Sequence, residues 1–399
     1  MTDGGGALAG VRVIDLTRIL AGPFCTQMLG DHGAEIIKIE PPHGDDTRRW
    51  GPPFEDGESA YFNGVNRNKR TLALDLSGPG GRAVLLRLLE RADVVIENFK
   101  AGQLDKWDLG YEAVLEARFP RLVYCQITGF GATGPYAGRP GFDAIAQAMS
   151  GLISINGMAD GPPHRIGTPI SDIATGLYAG NAILMALLER AVSGRGQKVE
   201  LSLLDCSVSL LHPHAANYLM TGETPPPTGN RHPNIAPYEV FETAGGRIFI
   251  AGGTDRQFAR LVAELGRAEL ADDPRFKDNA ARKGNEVALA QVLGDLLAET
   301  DGHALAERLL ALGIPAGPVL AIPEALDHAQ VRAREMLVEG DGFRCLSTPI
   351  KMIRTPGRPR TPPPGFGAHS RILLAEAGYS ATEIEALIAA GVVRAADKA

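Results

Sequence analysis

Short apolar runs alternate with amphipathic stretches along the first half of the chain. Val11 to Leu16 is such a run, and Glu35 to Ile39, Arg70 to Leu76, Val94 to Asn98, Leu122 to Thr128 and Lys198 to Leu203 repeat the pattern. Each has the length and composition of a buried strand. Between them, Gly81 to Arg91 places Val84, Leu85, Leu88 and Leu89 at helical spacing, and Pro23 suits the first turn of a short helix ending near Gly30. Strands alternating with helices predict an α/β fold with a parallel sheet. Such sheets bind ligands beyond the carboxyl ends of their strands, so the loops after Leu16, Asn98 and Thr128 are the expected site.

The longest apolar periodicity runs from Ile173 to Ala191, with Ile173, Leu177, Leu184, Leu187 and Leu188 on one helical face. Its most apolar part, Leu177 to Leu188, is too short to span a bilayer, so no membrane partner is expected. Asp172 stands at the start of this helix, in the stretch from Gly167 to Asp172 (GTPISD). Two roles suit that place. Ser171 or Asp172 could cap the first turn. Alternatively, Asp172 is a nucleophilic carboxylate that the helix dipole and free N–H groups hold ionised at neutral pH.

A helix is expected over Leu204 to Met220, after which the pattern changes. Residues 221–234 form a Pro-rich linker. Tyr238 to Thr243 and Arg247 to Ala251 flank Gly245 and Gly246 as a hairpin, and helices cluster from Arg256 to Leu312. Residues 235–318 therefore read as a smaller α+β domain. Residues 1–220 form the N-terminal part of a large domain, and 319–399 a linker and C-terminal return to it.

Charge and cysteine use narrow the class. At 399 residues the chain has room for two domains, and its net charge of −7 argues against nucleic acid as a partner. The N-terminus shows no basic-then-apolar leader, and Cys25, Cys125, Cys206 and Cys345 contain no C-x-x-C pair. Free thiols in a reducing compartment, and so a cytoplasmic protein, are expected. Gly129 to Gly134 matches G-x-G-x-x-G after a strand, but Pro135, Gly138, Pro140 and Gly141 forbid the helix that dinucleotide binding needs. His212 and His214 lack a carboxylate or cysteine at ligand spacing, so no metal is expected. The bases Arg48, Arg49, Arg67, Lys69 and Arg70 read either as phosphate ligands or as a solvated edge.

Several pieces, in shared order over nearly the whole chain, resemble the family III CoA-transferases, the group of formyl-CoA transferase, carnitine CoA-transferase and the α-methylacyl-CoA racemases. They are Leu8 to Leu16 (LAGVRVIDL), Ala21 to Pro23 (AGP), Gly33 to Glu40 (GAEIIKIE), Asn68 to Arg70 (NKR) and Glu97 to Phe99 (ENF). Gly129 to Gly131 (GFG), Gly134 to Tyr136 (GPY), Arg139 to Asp143 (RPGFD), Gly194 to Gln197 (GRGQ), Gly229 to Arg231 (GNR), Gly378 with Tyr379, and Glu383 with Ile384 complete them. The resemblance implies a Rossmann-like large domain built from both chain ends, an inserted small domain, and an interlocked homodimer. It implies a coenzyme A thioester as substrate, a carboxylic acid as acceptor, and no permanently bound cofactor.

The resemblance also places the nucleophile at Asp172, with helix capping as an added role. The carboxylate attacks the donor thioester, and the returning CoA thiolate converts the resulting anhydride into an aspartyl-CoA thioester that the acceptor then takes over. Ala21, Leu74, Asn98, Phe99 and Lys106 match positions along the family's CoA groove. Asp143 stands near the reacting carboxylates, where two acids could share hydrogen bonds or shift each other's pKa. Gly252 and Gly253 match a glycine loop that shields the anhydride from water. That loop is shorter here than in formyl-CoA transferase, and Leu20 replaces a Gln of that enzyme, which argues against formyl-CoA and oxalate. Arg18, on the same loop as Leu20, is a candidate for the acceptor carboxylate. The frequent family pairing is succinyl-CoA with a dicarboxylic or hydroxy acid. Racemisation is the alternative chemistry, but Phe142 occupies the racemase histidine position, thirty residues before Asp172. An acyl-CoA-binding protein without turnover is the alternative outside catalysis.

Overall fold

Six of the apolar runs become parallel strands of one sheet in the computed structural model, which describes residues 5–340 and 343–396. They are β1 (Arg12–Asp15), β2 (Glu35–Glu40), β3 (Lys69–Leu74), β4 (Val94–Glu97), β5 (Val123–Thr128) and β6 (Lys198–Ser202). Their order across the sheet is 3-2-1-4-5-6, and Val393–Arg394 pairs antiparallel on the outside of β3. This is the doubly wound order of Rossmann folds, in which the winding reverses between the first and fourth strands. The reversal leaves a crevice where the loops after β1 and β4 part.

Alternation along each strand explains why both faces are covered. Ile14, Ile37, Val95 and Tyr124 face one apolar core with Val84, Leu85 and Leu88 of the helix Pro79–Leu89 and with Leu373, Leu374 and Ile384 from the C-terminal end. Val13, Ile36, Ile96 and Cys125 face the other, against α1 (Ala21–Asp31) and the long helix Ile170–Ser193. Two further helices, α2 (Asp143–Ser150) and α3 (Leu203–Ser209), flank that long helix, α4, on the same side.

α4 is longer than the apolar run read from the sequence. By length and composition its 24 residues would cross a membrane. In this fold Ala174, Gly176, Ala179, Gly180 and Ile183 are buried instead, and α4 packs on α1. The contact is close. A Cβ built on Gly176 would lie 2.6 Å from the carbonyl oxygen of Ala21, so glycine there lets the second turn of α4 approach the start of α1.

The helix expected over Leu204 to Met220 is two helices, α3 and His214–Thr221, because Pro213 has no N–H to continue the ladder. They also belong to different compact units. One unit comprises residues 1–150, 166–210 and 330–399 and contains the parallel sheet; the other comprises 151–165 and 211–329. Residues 221–234, expected as a linker, cluster with the second unit. In that unit a three-stranded antiparallel sheet has Gly246–Ala251 at its centre, between Tyr238–Thr243 and Ala316–Pro318. Phe241, Ile248 and Ile250 pack there against Leu261, Leu293, Leu305 and Leu309 of the covering helices.

Candidate active site

Buried charges fix the loop after β1. Asp15 accepts hydrogen bonds from the Thr17 N–H (2.9 Å), the Thr26 hydroxyl (2.6 Å) and Lys69 Nζ (3.2 Å). Lys38 Nζ donates to the Thr17 carbonyl (2.8 Å) and to Asp45 (3.0 Å). Arg48 is paired with Glu40 and Glu58, and Arg67 with Asp31. The basic cluster near this loop thus divides: Arg48, Arg67 and Lys69 are buried and Arg70 half-buried, each holding a carboxylate of the same unit, whereas Arg49 is exposed and fits the solvated edge, paired with the half-exposed Asp46.

The loop itself is unusual. Ile19 has a φ of 71°, in the left-handed region that β-branched residues avoid. Across the crevice, the Asn98 side chain takes the Arg18 N–H on its Oδ1 (2.9 Å) and gives its own N–H to the Arg18 carbonyl (2.7 Å). One amide therefore ties the loop after β1 to the loop after β4 at the winding reversal.

Two cavities open at this crevice. The first, about 330 Å³, is lined by Arg18, Leu20, Ala21, Asn98, Phe99, Lys100, Arg139, Phe142 and Asp172 among others. The second, about 420 Å³, is lined by Leu16, Arg18, Leu74, Phe99, Lys100 and Trp107 among others. Phe99 packs edge-on against Trp107, and the Arg18 guanidinium lies 5.7 Å from the centre of the Phe99 ring.

Asp172 stands in the first turn of α4, but it does not cap that helix, nor does Ser171. The residue before the helix is Pro169, with no side-chain cap. Asp143, at the start of α2, fills the role from outside: its Oδ1 accepts the Ser171 N–H at 2.8 Å and the Asp172 N–H at 3.3 Å. Gln147 holds the other oxygen at 2.7 Å and accepts the Ile166 N–H at 2.8 Å. Ser207 of α3 braces the same turn through the Ser171 hydroxyl at 2.7 Å.

This arrangement works against the expected ionisation. The free N–H groups that were to hold Asp172 ionised are turned onto Asp143. Burial first, and then the Asp143 charge, push Asp172 up to about 7. Burial also pushes the Tyr61 phenol up to about 12, with Asp172, Asp143 and Asp45 adding to it, which marks Tyr61 as part of the same electrostatic site. Nothing in the sequence around Tyr61 signals this, because only the tertiary fold brings it near Asp172.

The expected groove residues divide. Arg18, Leu20, Ala21, Asn98, Phe99 and Phe142 line the first cavity with Asp172, and Leu74 lines the second. Asp143 supports Asp172 from behind, only 9% exposed. Lys106 lines neither cavity; it is exposed on the short helix Gln103–Lys106, which buries Leu104 instead. Lys100 lines both, although no sequence motif marks it. Gly252 and Gly253 belong to the second unit, directly after Gly246–Ala251, where the Gly253 carbonyl accepts from the buried Arg282 at 3.1 Å.

Comparison with known proteins identifies the group. The sequence model described as CoA-transferase family III matches residues 8–370. The chain belongs to this family. It is 45% identical over 381 residues to a succinate–glutarate CoA-transferase of Agrobacterium fabrum, covering 92% of this chain and 95% of that protein. It is 40% identical over 397 residues to a succinyl-CoA:glutarate CoA-transferase of Mus musculus, covering 97% of this chain and 90% of that protein. A crystal structure of a CAIB/BAIF family protein from Brucella suis superposes with a TM-score of 0.85 at 43% identity, covering 94% of this chain and all of that one. This family III chain is thus an acyl-CoA:carboxylate CoA-transferase, as the opening motifs imply.

Proposed function

We propose that Asp172 carries CoA between a donor thioester and an acceptor dicarboxylate, with glutarate and succinate as the acids to expect from the relatives' names. The observation that supports this most is the Asp172 carboxyl lining the cavity at the winding reversal. Asp172 attacks the thioester carbonyl, the C–S bond breaks, and CoA leaves as thiolate. The thiolate attacks the Asp172 carbonyl of the anhydride and releases the donor acid, leaving an aspartyl-CoA thioester. The acceptor carboxylate displaces the thiolate from Asp172 to form a second anhydride. The thiolate then attacks the acceptor carbonyl, and Asp172 is regenerated. A carboxylate suits these steps because an anhydride keeps the acyl group reactive enough for thiolate to reclaim it.

The same reading makes the protein an interlocked homodimer, with Gly252 and Gly253 in a loop that keeps water from the anhydride. Sedimentation at micromolar concentration is expected to show a dimer and no folded, active monomer. Incubation of succinyl-CoA with glutarate, followed by mass spectrometry, tests the activity: glutaryl-CoA should accumulate with the release of succinate. Failure of exchange across a panel of dicarboxylates and acyl-CoA donors would overturn the reading. Phe142 stands in the cavity wall where a racemase needs a base, and phenyl cannot carry a proton. Therefore 2-methylacyl-CoA incubated in deuterated water is expected to gain no α-deuterium by NMR. Incorporation at a turnover-like rate would restore the racemase alternative.

A further inference from the structure

Arg18 is the half-buried cation of this crevice, with binding capacity left unspent. It lines both cavities. Its Nε is buried and finds no hydrogen-bond acceptor among the described residues. Among the described residues it has one ion pair, a loose one with Asp46 at 3.9 Å, beyond hydrogen-bond reach. A buried donor without a partner costs free energy unless a ligand completes it. The backbone around it is held in place at a cost of its own: Asn98 grips the Arg18 N–H and carbonyl, and the next residue, Ile19, is forced to positive φ. Lys100 and Arg139 also reach the first cavity, but both are exposed.

We propose that Arg18 is the residue that selects acids with a second carboxylate, by pairing with the carboxylate that does not react. The inference rests on the Asp172 reading above. Two features choose the non-reacting group. The acid's attacking carboxylate must approach Asp172 and keep its negative charge to act as a nucleophile, and a guanidinium on it would withdraw that charge. The second carboxylate of a short dicarboxylic acid lies one chain length away in the same cavity, where the planar fork of Arg18 matches it. Donor acyl and acceptor acid occupy the anhydride in turn, so Arg18 meets the free carboxylate of a succinyl group on the way in as well as that of glutarate.

The phosphates of CoA are the other anions that this fork would fit, and the test separates them. Every turnover uses CoA, but only some acids bring a second carboxylate. Exchange is measured for wild type, Arg18→Gln and Arg18→Lys, with propionyl-CoA as donor and glutarate or butyrate as acceptor. Wild type should prefer glutarate. In Arg18→Gln, kcat/KM for glutarate should fall on the order of 10- to 100-fold, as for loss of a charge-assisted pair, while butyrate loses much less, so that the preference collapses. Arg18→Lys keeps the charge without the fork; it should fall in the same direction by less, and it serves if the Gln variant does not fold. Equal losses for both acids would assign Arg18 to CoA or to scaffolding and overturn the inference alone. A wild-type protein that exchanges neither acid would overturn the proposed function, and the inference with it.

Discussion

Asp172→Asn is expected to abolish transfer while raising the stability of the fold at alkaline pH. Asparagine cannot form the anhydride, so exchange should fall roughly 10⁴-fold or more. The stability effect follows from the protonation of Asp172, which burial and Asp143 raise from 3.8 to about 7. A carboxyl raised in the folded state is bound there more tightly to its proton than in the unfolded chain. Its contribution to stability is full below the unfolded value of 3.8 and is lost as pH rises through about 7. Asparagine resembles the neutral acid at every pH. The variant should therefore exceed wild type in urea unfolding at pH 8 by roughly 2 kcal/mol, with the difference vanishing toward pH 4. A binding protein without turnover would bind thioesters unchanged in this variant, and an Asp172 that merely capped α4 would be replaced at little cost at any pH, since asparagine caps a helix as well as aspartate.

Asp143 should control both the geometry and the acidity of Asp172. Asp143→Ala leaves the Ser171 and Asp172 N–H groups and the Gln147 amide without their shared acceptor. The first turn of α4 is then free to shift, and kcat is expected to fall by about 10²-fold, as for displacements near 1 Å at a reacting group. Asp143→Asn is milder, because its carbonyl still accepts from α4, but its NH2 meets the Gln147 donor and one hydrogen bond is lost. Removing the charge also lowers Asp172, although burial, the larger cause, remains. Since the ionised form attacks, the wild-type rate should climb with pH to a plateau above about 7. In Asp143→Asn the climb should begin at lower pH. A pH–rate profile unchanged by that substitution would remove Asp143 from the electrostatics of the site.

The parallel sheet was legible because its strands, buried on both faces, read as continuous apolar runs. The loops after β1 and β4 could be named from that pattern alone, since ligands gather where a doubly wound sheet reverses. The position of Asp172 was legible, but its surroundings were not. An N-terminal aspartate followed by an apolar helix looks like a cap, and only the fold reveals that Asp143, distant in sequence, has taken that role. The basic cluster from Arg48 to Arg70 was misleading for a related reason: the carboxylates that neutralise it, from Asp15 to Glu376, are scattered along the chain. Lys106 and Lys100 show the limit of residue matching at a turn, where Gly102, at φ 78°, redirects the chain between them. The second unit was half legible. Its hairpin follows from alternation around Gly245 and Gly246, whereas the third strand, Ala316–Pro318, is too short and too rich in Gly and Pro to carry a strand signal.

Covalent capture on Asp172 tests the account most directly. Wild-type protein is incubated with succinyl-CoA without acceptor, quenched in acid, digested, and its peptides mapped by mass spectrometry. The peptide containing Asp172 should gain the mass of CoA less one water, and hydroxylamine should release the CoA and leave a hydroxamate on that residue. The folded Asp172→Asn variant should show neither change. Exchange that proceeds with no adduct on Asp172, or an adduct that forms on another side chain, would contradict the account.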